Sequence, residues 1–280
     1  MSYKTILVHC DGDKSAAQRV SVAIDMAKRF GSHLVGLQVR PPFTPPLFAE
    51  TAFAMEPLVD AYQQAAKAAR EAATRTFADA VASKGLSSEW RTVEGPIAEQ
   101  VTAASRCADL VVLGQADPES ATVMSAPDDL AEKVALGSGR PILMVPFVGA
   151  PARVGGTVLL CWNASRESAQ AATAALPILQ QATKVVVLVV DGRARDGEPA
   201  SQPGADAVTW LGRHGIQAAL QQDVSAEGDV GAAILSRAAD FNADLVVMGL
   251  YGHSRAREFI LGGASRTLLR SMTVPVLMAH

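Results

Sequence analysis

The stretch Ala108-Asp109-Leu110-Val111-Val112-Leu113-Gly114 decides the fold, because it recurs as Ala243-Asp244-Leu245-Val246-Val247-Met248-Gly249, 135 residues further along the chain. A short continuous apolar run of this kind is typical of a strand that is covered on both faces in a parallel sheet. Self-similarity at a fixed offset is the signature of a repeated structural unit. The sequence therefore predicts that the fold is built twice.

Two further blocks repeat in the same order as this stretch. Thr5–Val8 corresponds to Thr157–Leu160 at an offset of 152, and Arg140–Val145 corresponds to Val274–Ala279 at an offset of 134. The fall in offset from 152 to 135 means that the first half carries 17 more residues before its apolar block. We assign this surplus to Pro41–Pro57, a segment rich in proline and phenylalanine, and predict that it is a long loop after the second strand.

Each half alternates short β-branched runs with longer helical stretches. Continuous apolar strands joined by helices indicate a doubly wound α/β fold, whose ligands bind at the carboxyl ends of the strands. We predict two tandem five-stranded parallel-sheet domains, residues 1–149 and 156–280, with a glycine- and proline-rich joint between them. In the second half the predicted strands are Thr157–Trp162, Lys184–Asp191, Ala218–Gln222, Ala243–Gly249 and Val274–Ala279.

The composition argues against several classes of protein. A net charge of −3 and a pI near 6.0 argue against a nucleic-acid binder. The longest aliphatic run, Val185–Val190, is far shorter than the ~20 residues of a membrane helix. The start of the chain does not resemble a signal peptide, so we expect a cytoplasmic protein without membrane association. The five histidines and three cysteines lack metal-binding spacing, so no metal is predicted. We expect Cys10 and Cys161 to be buried, inert thiols.

A glycine motif in the second half carries the clearest chemistry. Gly249-Leu250-Tyr251-Gly252 starts at the end of a strand, and nine residues later Gly262-Gly263 opens the last helix. Glycines let the backbone approach a phosphate closely, and a helix start offers unpaired N–H groups. Ser265, His253 and nearby arginines add hydrogen-bond donors. From the residues alone, a turn followed by a helix-capping glycine pair remains an equal alternative.

Together these residues resemble the universal stress protein family in its tandem form, over essentially the whole chain. The resemblance rests on Tyr3–Gly12, on Ala243–Gly249, and on the spaced glycines followed by Val274-Pro275-Val276. The family's nucleotide signature is G-x2-G-x9-G-(S/T). The second half matches its three spaced glycines and has Gly263 where the family has a hydroxyl residue.

The resemblance implies a site for ATP or another adenine nucleotide in the second half. In ATP-binding members, an Asp after the first strand faces the nucleoside, and an apolar residue at the end of the second strand lines the adenine. Those positions fall on Asn163, which keeps a hydrogen-bonding side chain, and on Val189. The predicted nucleotide-binding residues are Asn163, Val189, Gly249, Gly252, His253, Gly262, Gly263, Ala264 and Ser265.

The first half departs from this pattern. Asp117 stands where the second half has Gly252, and Asp128-Asp129 stand where it has Gly262-Gly263. Carboxylates at a helix start are ordinary caps and repel phosphate. Asp11 keeps the family's nucleoside-side Asp, but by itself it is read as a cap or turn residue. We therefore predict that the first half is degenerate for nucleotide and that its pocket is filled or apolar.

Three functions remain open at this point. The resemblance implies a cytoplasmic stress-response regulatory or binding protein, whose halves pair through their last strands as a pseudo-dimer and which could also form a homodimer. The second alternative is a stress protein that binds no nucleotide and acts through protein partners. A nucleotide hydrolase is disfavoured, because Glu258 is the only carboxylate near the glycine motif to serve as a general base. No catalytic residue is predicted.

Overall fold

The computed structural model describes residues 2–45, 52–117, 119, 122, 124–149, 151, 153–191, 204–250 and 263–280. The strands in these ranges are β1 (Thr5–His9), β2 (His33–Arg40), β3 (Ser88–Glu94), β4 (Leu110–Gly114), β5 (Ile142–Val145), β6 (Thr157–Cys161), β7 (Lys184–Val190), β8 (Ala218–Asp223), β9 (Leu245–Gly249) and β10 (Val276–Ala279). The helices are α1 (Ala16–Phe30), α2 (Ala52–Val81), α3 (Ile97–Ser105), α4 (Leu130–Ser138), α5 (Arg166–Leu179), α6 (Ala205–Arg213), α7 (Val230–Asp240) and α8 (Gly263–Ser271).

The strands form one continuous sheet in the order β3-β2-β1-β4-β5-β10-β9-β6-β7-β8. Within each half all neighbouring strands are parallel, and the order is the same in both halves. The halves join where β5 pairs with β10 in antiparallel fashion, with Leu143 opposite Leu277. The predicted α/β fold and the pairing through the last strands are both confirmed.

Helices cover both faces of the sheet, and both halves contribute to each face. One buried cluster lies under α1, α2, α5 and α6, and the other lies under α3, α4, α7 and α8. Contacts between the halves add polar anchors to this packing. The Tyr3 hydroxyl donates to the Ala174 carbonyl at 2.6 Å, and Arg29 Nε donates to Oε1 of Gln181 at 2.6 Å.

The repeated aspartate of the Ala-Asp-Leu block has the same structural role in both halves. Asp109 accepts hydrogen bonds from the backbone N–H groups of Lys4 and Thr5, at 2.7 and 3.0 Å. Asp244 accepts from the N–H groups of Gly155, Gly156 and Thr157 at 2.8 to 3.1 Å. Each carboxylate thereby fixes the start of the first strand of its own half. This role explains why aspartate precedes both apolar runs.

The predicted loop over Pro41–Pro57 is wrong in its second part. Helix α2 begins at Ala52 and contains Pro57, while residues 46–51 lie outside the described ranges. The helix forms because Ala73 and Phe77 repeat at helical spacing and are buried against the sheet, where Phe77 packs on Trp90. Among the helices of the described ranges, none combines the length and the apolar character that crossing a bilayer requires.

Candidate functional site

The sheet reverses its order once in each half, between β1 and β4 and between β6 and β9. In doubly wound folds such a reversal opens a crevice at the carboxyl ends of the strands. In the second half, β6 pairs in parallel with both β7 and β9, so the three carboxyl ends lie side by side. Val189, Asn163 and Gly249 lie at or just beyond these ends.

Gly249 allows the start of α5 to pack directly against the end of β9. A Cβ atom on Gly249 would lie 2.6 Å from the backbone carbon of Glu167 and 2.6 Å from the backbone nitrogen of Ser168. Ser165 caps this helix by accepting a hydrogen bond from the Ser168 N–H at 3.1 Å. The Asn163 side chain in turn accepts from the Ser165 N–H at 3.1 Å. Asn163 is itself exposed to solvent at this edge of the sheet.

Val189 and the residues that begin α8 have contrasting environments. The Val189 side chain is buried, and a Cβ atom on Gly204, just before α6, would lie 2.8 Å from its Cγ2. Gly263 is exposed, and among the described residues nothing lies within 4 Å of where its Cβ atom would be. Ala264 is partly buried, and Ser265 is buried. The other predicted site residues, Gly252, His253 and Gly262, lie outside the described ranges.

The equivalent strand ends in the first half are occupied by a buried arginine. Arg19 of α1 is only 1% exposed, and its Nη2 donates to the Asp11 carboxylate. A second carboxylate oxygen, Oδ1 of Asp13, lies 3.7 Å from Nη2. A Cβ atom on Gly114, the counterpart of Gly249, would collide with Nη1 of Arg19. At the offset of 152 that relates Thr5 to Thr157, the second half has Ala171 in place of this arginine.

Charges in this cluster are set by burial and by the ion pair. Burial is the largest single influence and raises the pKa of Asp11, but the charges of Arg19 and His9 and the hydrogen bonds of Arg19 and Asp13 together lower the net pKa, so the carboxylate is ionised. Burial lowers the pKa of His9 to about 4, so the imidazole is neutral at pH 7. His9 Nδ1 lies 4.0 Å from the Asp11 carboxylate and makes no hydrogen bond to any residue in the described part of the chain. Asp11 is therefore one half of a buried ion pair, and its interpretation as a cap or turn residue was wrong.

The other first-half aspartates also differ from expectation. Asp129 lies at the N-cap position of α4, but its side chain makes no capping hydrogen bond and pairs with Lys133 at 2.8 Å. Asp117 accepts a hydrogen bond from the Glu119 N–H at 3.0 Å. The predicted side-chain cap of α4 is therefore wrong, because an i,i+4 ion pair takes the Asp129 carboxylate instead.

Helix α2 packs against the loop that follows β1, at the carboxyl ends of the first-half strands. A Cβ atom on Gly12 would lie 2.9 Å from Cα of Ala69, so helix and loop are in backbone contact. A small apolar cluster continues this cover, in which the rings of Phe43 and Tyr62 are 5.3 Å apart and Met124 is buried beside them. Of the surplus segment Pro41–Pro57, Phe43 takes part in this cover. The interior beneath it holds an ion pair, however, and not only apolar groups.

Gln115 makes a contact between the two halves that the sequence did not reveal. Its side-chain amide donates to the carbonyls of Leu269 and Arg270, at 2.9 and 3.0 Å, and accepts from the Phe147 N–H at 3.3 Å. A residue that follows β4 of the first half therefore satisfies the last carbonyls of α8 in the second half. The available signal was a polar residue where the repeat has Leu250.

Cys10 follows β1, and Cys161 ends β6. Burial raises the pKa of both Cys10 and Cys161 to about 12, so both thiols are protonated at neutral pH. Within the described ranges, no three His, Cys, Asp or Glu side chains group closely enough to hold a metal ion.

Comparisons with known proteins agree with the duplicated fold. The model of the universal stress protein family matches residues 2–146 and again residues 156–280. A universal stress protein of Archaeoglobus fulgidus DSM 4304 has a similar structure, with a TM-score of 0.68 and 16% identity, over 98% of this chain and 97% of that chain. A proposed universal stress protein of Pseudomonas aeruginosa UCBPP-PA14 has a TM-score of 0.59 and 19% identity, over 99% and 93% of the two chains.

These identities are low, so the two structures support the fold alone. No curated protein matches the chain significantly. The family assignment depends on the double match of the family model, which covers each of the two repeated units. The chain therefore belongs to the universal stress protein family, in the form that carries two copies of the family's fold in tandem.

Proposed function

We propose that the chain is a cytoplasmic stress-response binding protein whose second half binds ATP or another adenine nucleotide. The observation that carries the proposal is the difference between the two strand-end crevices. In the first half the Arg19 guanidinium lies against Gly114 and is neutralised by Asp11. The second half has the much smaller Ala171 where the first has Arg19, so no arginine side chain occupies the equivalent position.

Gly263 supports a phosphate position at the start of α8. The first turn of a helix offers unpaired N–H groups and the positive end of the helix dipole. Gly263 is exposed, and no residue that the structure describes lies within 4 Å of a Cβ atom built there. An anion can therefore approach the backbone closely there. We propose that Asn163 and Val189 lie on the nucleoside side, and that Gly249, Gly252, His253, Gly262, Ala264 and Ser265 surround the phosphates.

The proposed activity is binding and not hydrolysis. A glycine loop and a helix start supply backbone N–H donors, which hold a phosphate but cannot take a proton from an attacking water. Binding would favour the conformation that holds the nucleotide, because a ligand that binds only the folded state stabilises it. Such a protein can report nucleotide levels to a partner without consuming the nucleotide.

Substitution of Gly263 tests this proposal. Asp and Asn are both good residues at a helix start, and no described residue obstructs a side chain at Gly263, so we expect both variants to fold. Only Asp adds a negative charge beside the phosphates. Two like charges 4 Å apart repel by about 4 kcal/mol at an effective dielectric constant of 20, and we take roughly half of this for an exposed position.

We expect calorimetric titration with ATP to show that Gly263→Asp weakens binding roughly thirtyfold, as about 2 kcal/mol implies. Gly263→Asn serves as the control and should change the Kd less than threefold. The proposal is wrong if ATP, ADP and AMP all fail to bind the unaltered protein at millimolar concentration. It is equally wrong if the two variants bind ATP as tightly as the unaltered protein.

A further inference from the structure

A basic cavity of about 390 Å³ lies in the first half, away from the proposed nucleotide site. It is lined by Arg40, Gln63, Ala66, Lys67 and Arg70. Arg40 ends β2, and the other four belong to α2. We call this cavity, defined by these five residues, the basic groove. Its volume is within the range of small-molecule sites in proteins.

The helical side of the basic groove follows from residue spacing. Gln63, Lys67 and Arg70 are separated by four and three positions, so they project from one face of α2. All three are exposed, while Ala66 is buried among them. The small Ala66 side chain leaves a depression between longer side chains. This side of the groove is therefore formed by a small residue between longer ones on one face of α2.

Arg40 is held in place on the opposite side. Its Nη1 donates to Glu94 at 3.0 Å, and its guanidinium lies 5.8 Å from the centre of the Tyr62 ring. The Tyr62 hydroxyl donates to the Pro41 carbonyl, which fixes the ring. A guanidinium that is already oriented loses less conformational freedom when it binds an anion. Arg40 is thus a preorganised donor at the edge of the groove.

The charge in the basic groove is only partly neutralised. Glu94 pairs with Arg40, but no ion pair within the described ranges involves Lys67 or Arg70. These two cations are helical neighbours at i and i+3, an arrangement of like charges that destabilises a helix. None of the five lining residues is acidic. The arrangement retains a cost that a bound anion would remove.

We propose that the basic groove binds a small anion that carries two or more phosphate groups. Arginine forks match phosphate oxygens in bidentate fashion, lysine adds a point charge, and the Gln63 amide can donate to a further oxygen. Three cations on two sides of one cavity exceed what a single phosphate needs. This site is independent of the proposed nucleotide site, since it shares none of that site's residues.

The test uses inorganic pyrophosphate as the probe and the full chain with Gly263→Asp, which weakens the proposed competing site. We expect calorimetry to show that the double substitution Lys67→Gln and Arg70→Gln weakens pyrophosphate binding at least tenfold. The matched control is Arg75→Gln with Lys84→Gln, which removes the same charge at exposed positions on and just after α2. This control should change the Kd less than threefold.

Equal weakening in the groove variant and the control would overturn the proposal, because it would show only a general effect of net charge. Unchanged binding in the groove variant would overturn it too, as would no pyrophosphate binding at millimolar concentration. Failure of this test is distinguishable from failure of the nucleotide proposal. The groove substitutions leave Gly249 and Gly263 unaltered, so the loss of ATP affinity in Gly263→Asp is measured separately.

Discussion

Replacing Arg19 by methionine is expected to lower the free energy of unfolding of the first half by about 3–5 kcal/mol. Methionine fills much of the same volume, but it leaves the buried Asp11 carboxylate without its counter-charge. Breaking a buried ion pair by removing one partner is among the most destabilising single substitutions, because the remaining charge is neither paired nor hydrated. The nearby Asp13, whose Oδ1 lies 3.7 Å from Arg19 Nη2, is itself acidic and cannot replace the lost positive charge.

Urea denaturation followed by intrinsic tryptophan fluorescence measures this effect, with Trp90 in the first half and Trp162 and Trp210 in the second. Arg237→Met is the matched control, because its ion pair with Asp223 at 2.6 Å is at the surface. We expect a much smaller loss in the control.

The double variant Arg19→Met with Asp11→Asn should regain a large part of the stability. A shift for Arg19→Met no larger than that of Arg237→Met would contradict the buried ion pair.

Gly249→Ala is expected to destabilise the second half by about 1–3 kcal/mol, the usual cost of overpacking. Its methyl group would lie 2.6 Å from the backbone of Glu167 and Ser168, where real Cβ contacts are not found, so α5 must shift. Gly212→Ala is the control, because a Cβ atom there meets nothing within 4 Å and alanine favours a helix. We expect that control to be neutral or slightly stabilising in urea denaturation. Equal stability of Gly249→Ala and the unaltered protein would show that α5 does not pack on β9.

Much of the fold was predictable from the repeated apolar blocks, and the small errors have physical causes. The strand predicted over Ala243–Gly249 begins at Leu245, because the Asp244 side chain turns to bind the backbone at residues 155–157. The strand predicted from Val274 begins at Val276, because Pro275 has no N–H for the ladder. The larger error is the loop over Pro41–Pro57: prolines are typical of loops, but the helical spacing of Ala73 and Phe77 stabilises a helix that extends back through Pro57.

The interior of the first-half crevice could not be predicted in the same way. Arg19 follows helical spacing between Ala16 and Val20, but an arginine is ordinarily expected at the surface. Its burial depends on Asp11, which reaches it only after β1 and α1 have packed together. Gln115 depends on the meeting of the two halves. Such pairings depend on tertiary structure, whereas hydrophobic periodicity indicates only secondary structure and the buried face of each element.

The proposed difference between the halves accounts for why two copies of one fold keep different residues at equivalent positions. Gly114 and Gly249 both end a strand beside the first helix of their half. In the first half that space is taken by the Arg19 guanidinium, which supplies its own positive charge to Asp11. In the second half, where Ala171 replaces this arginine, we propose that the negatively charged phosphates of the nucleotide bind to backbone N–H donors.

The most direct test is a crystal structure of the full chain with a non-hydrolysable ATP analogue. We predict that the triphosphate lies between the end of β9 at Gly249 and the start of α8 at Gly263. The first half should retain the Arg19 guanidinium against Gly114, paired with Asp11. Phosphates bound against Gly114 and Asp128, with Arg19 displaced and no nucleotide between Gly249 and Gly263, would contradict the account.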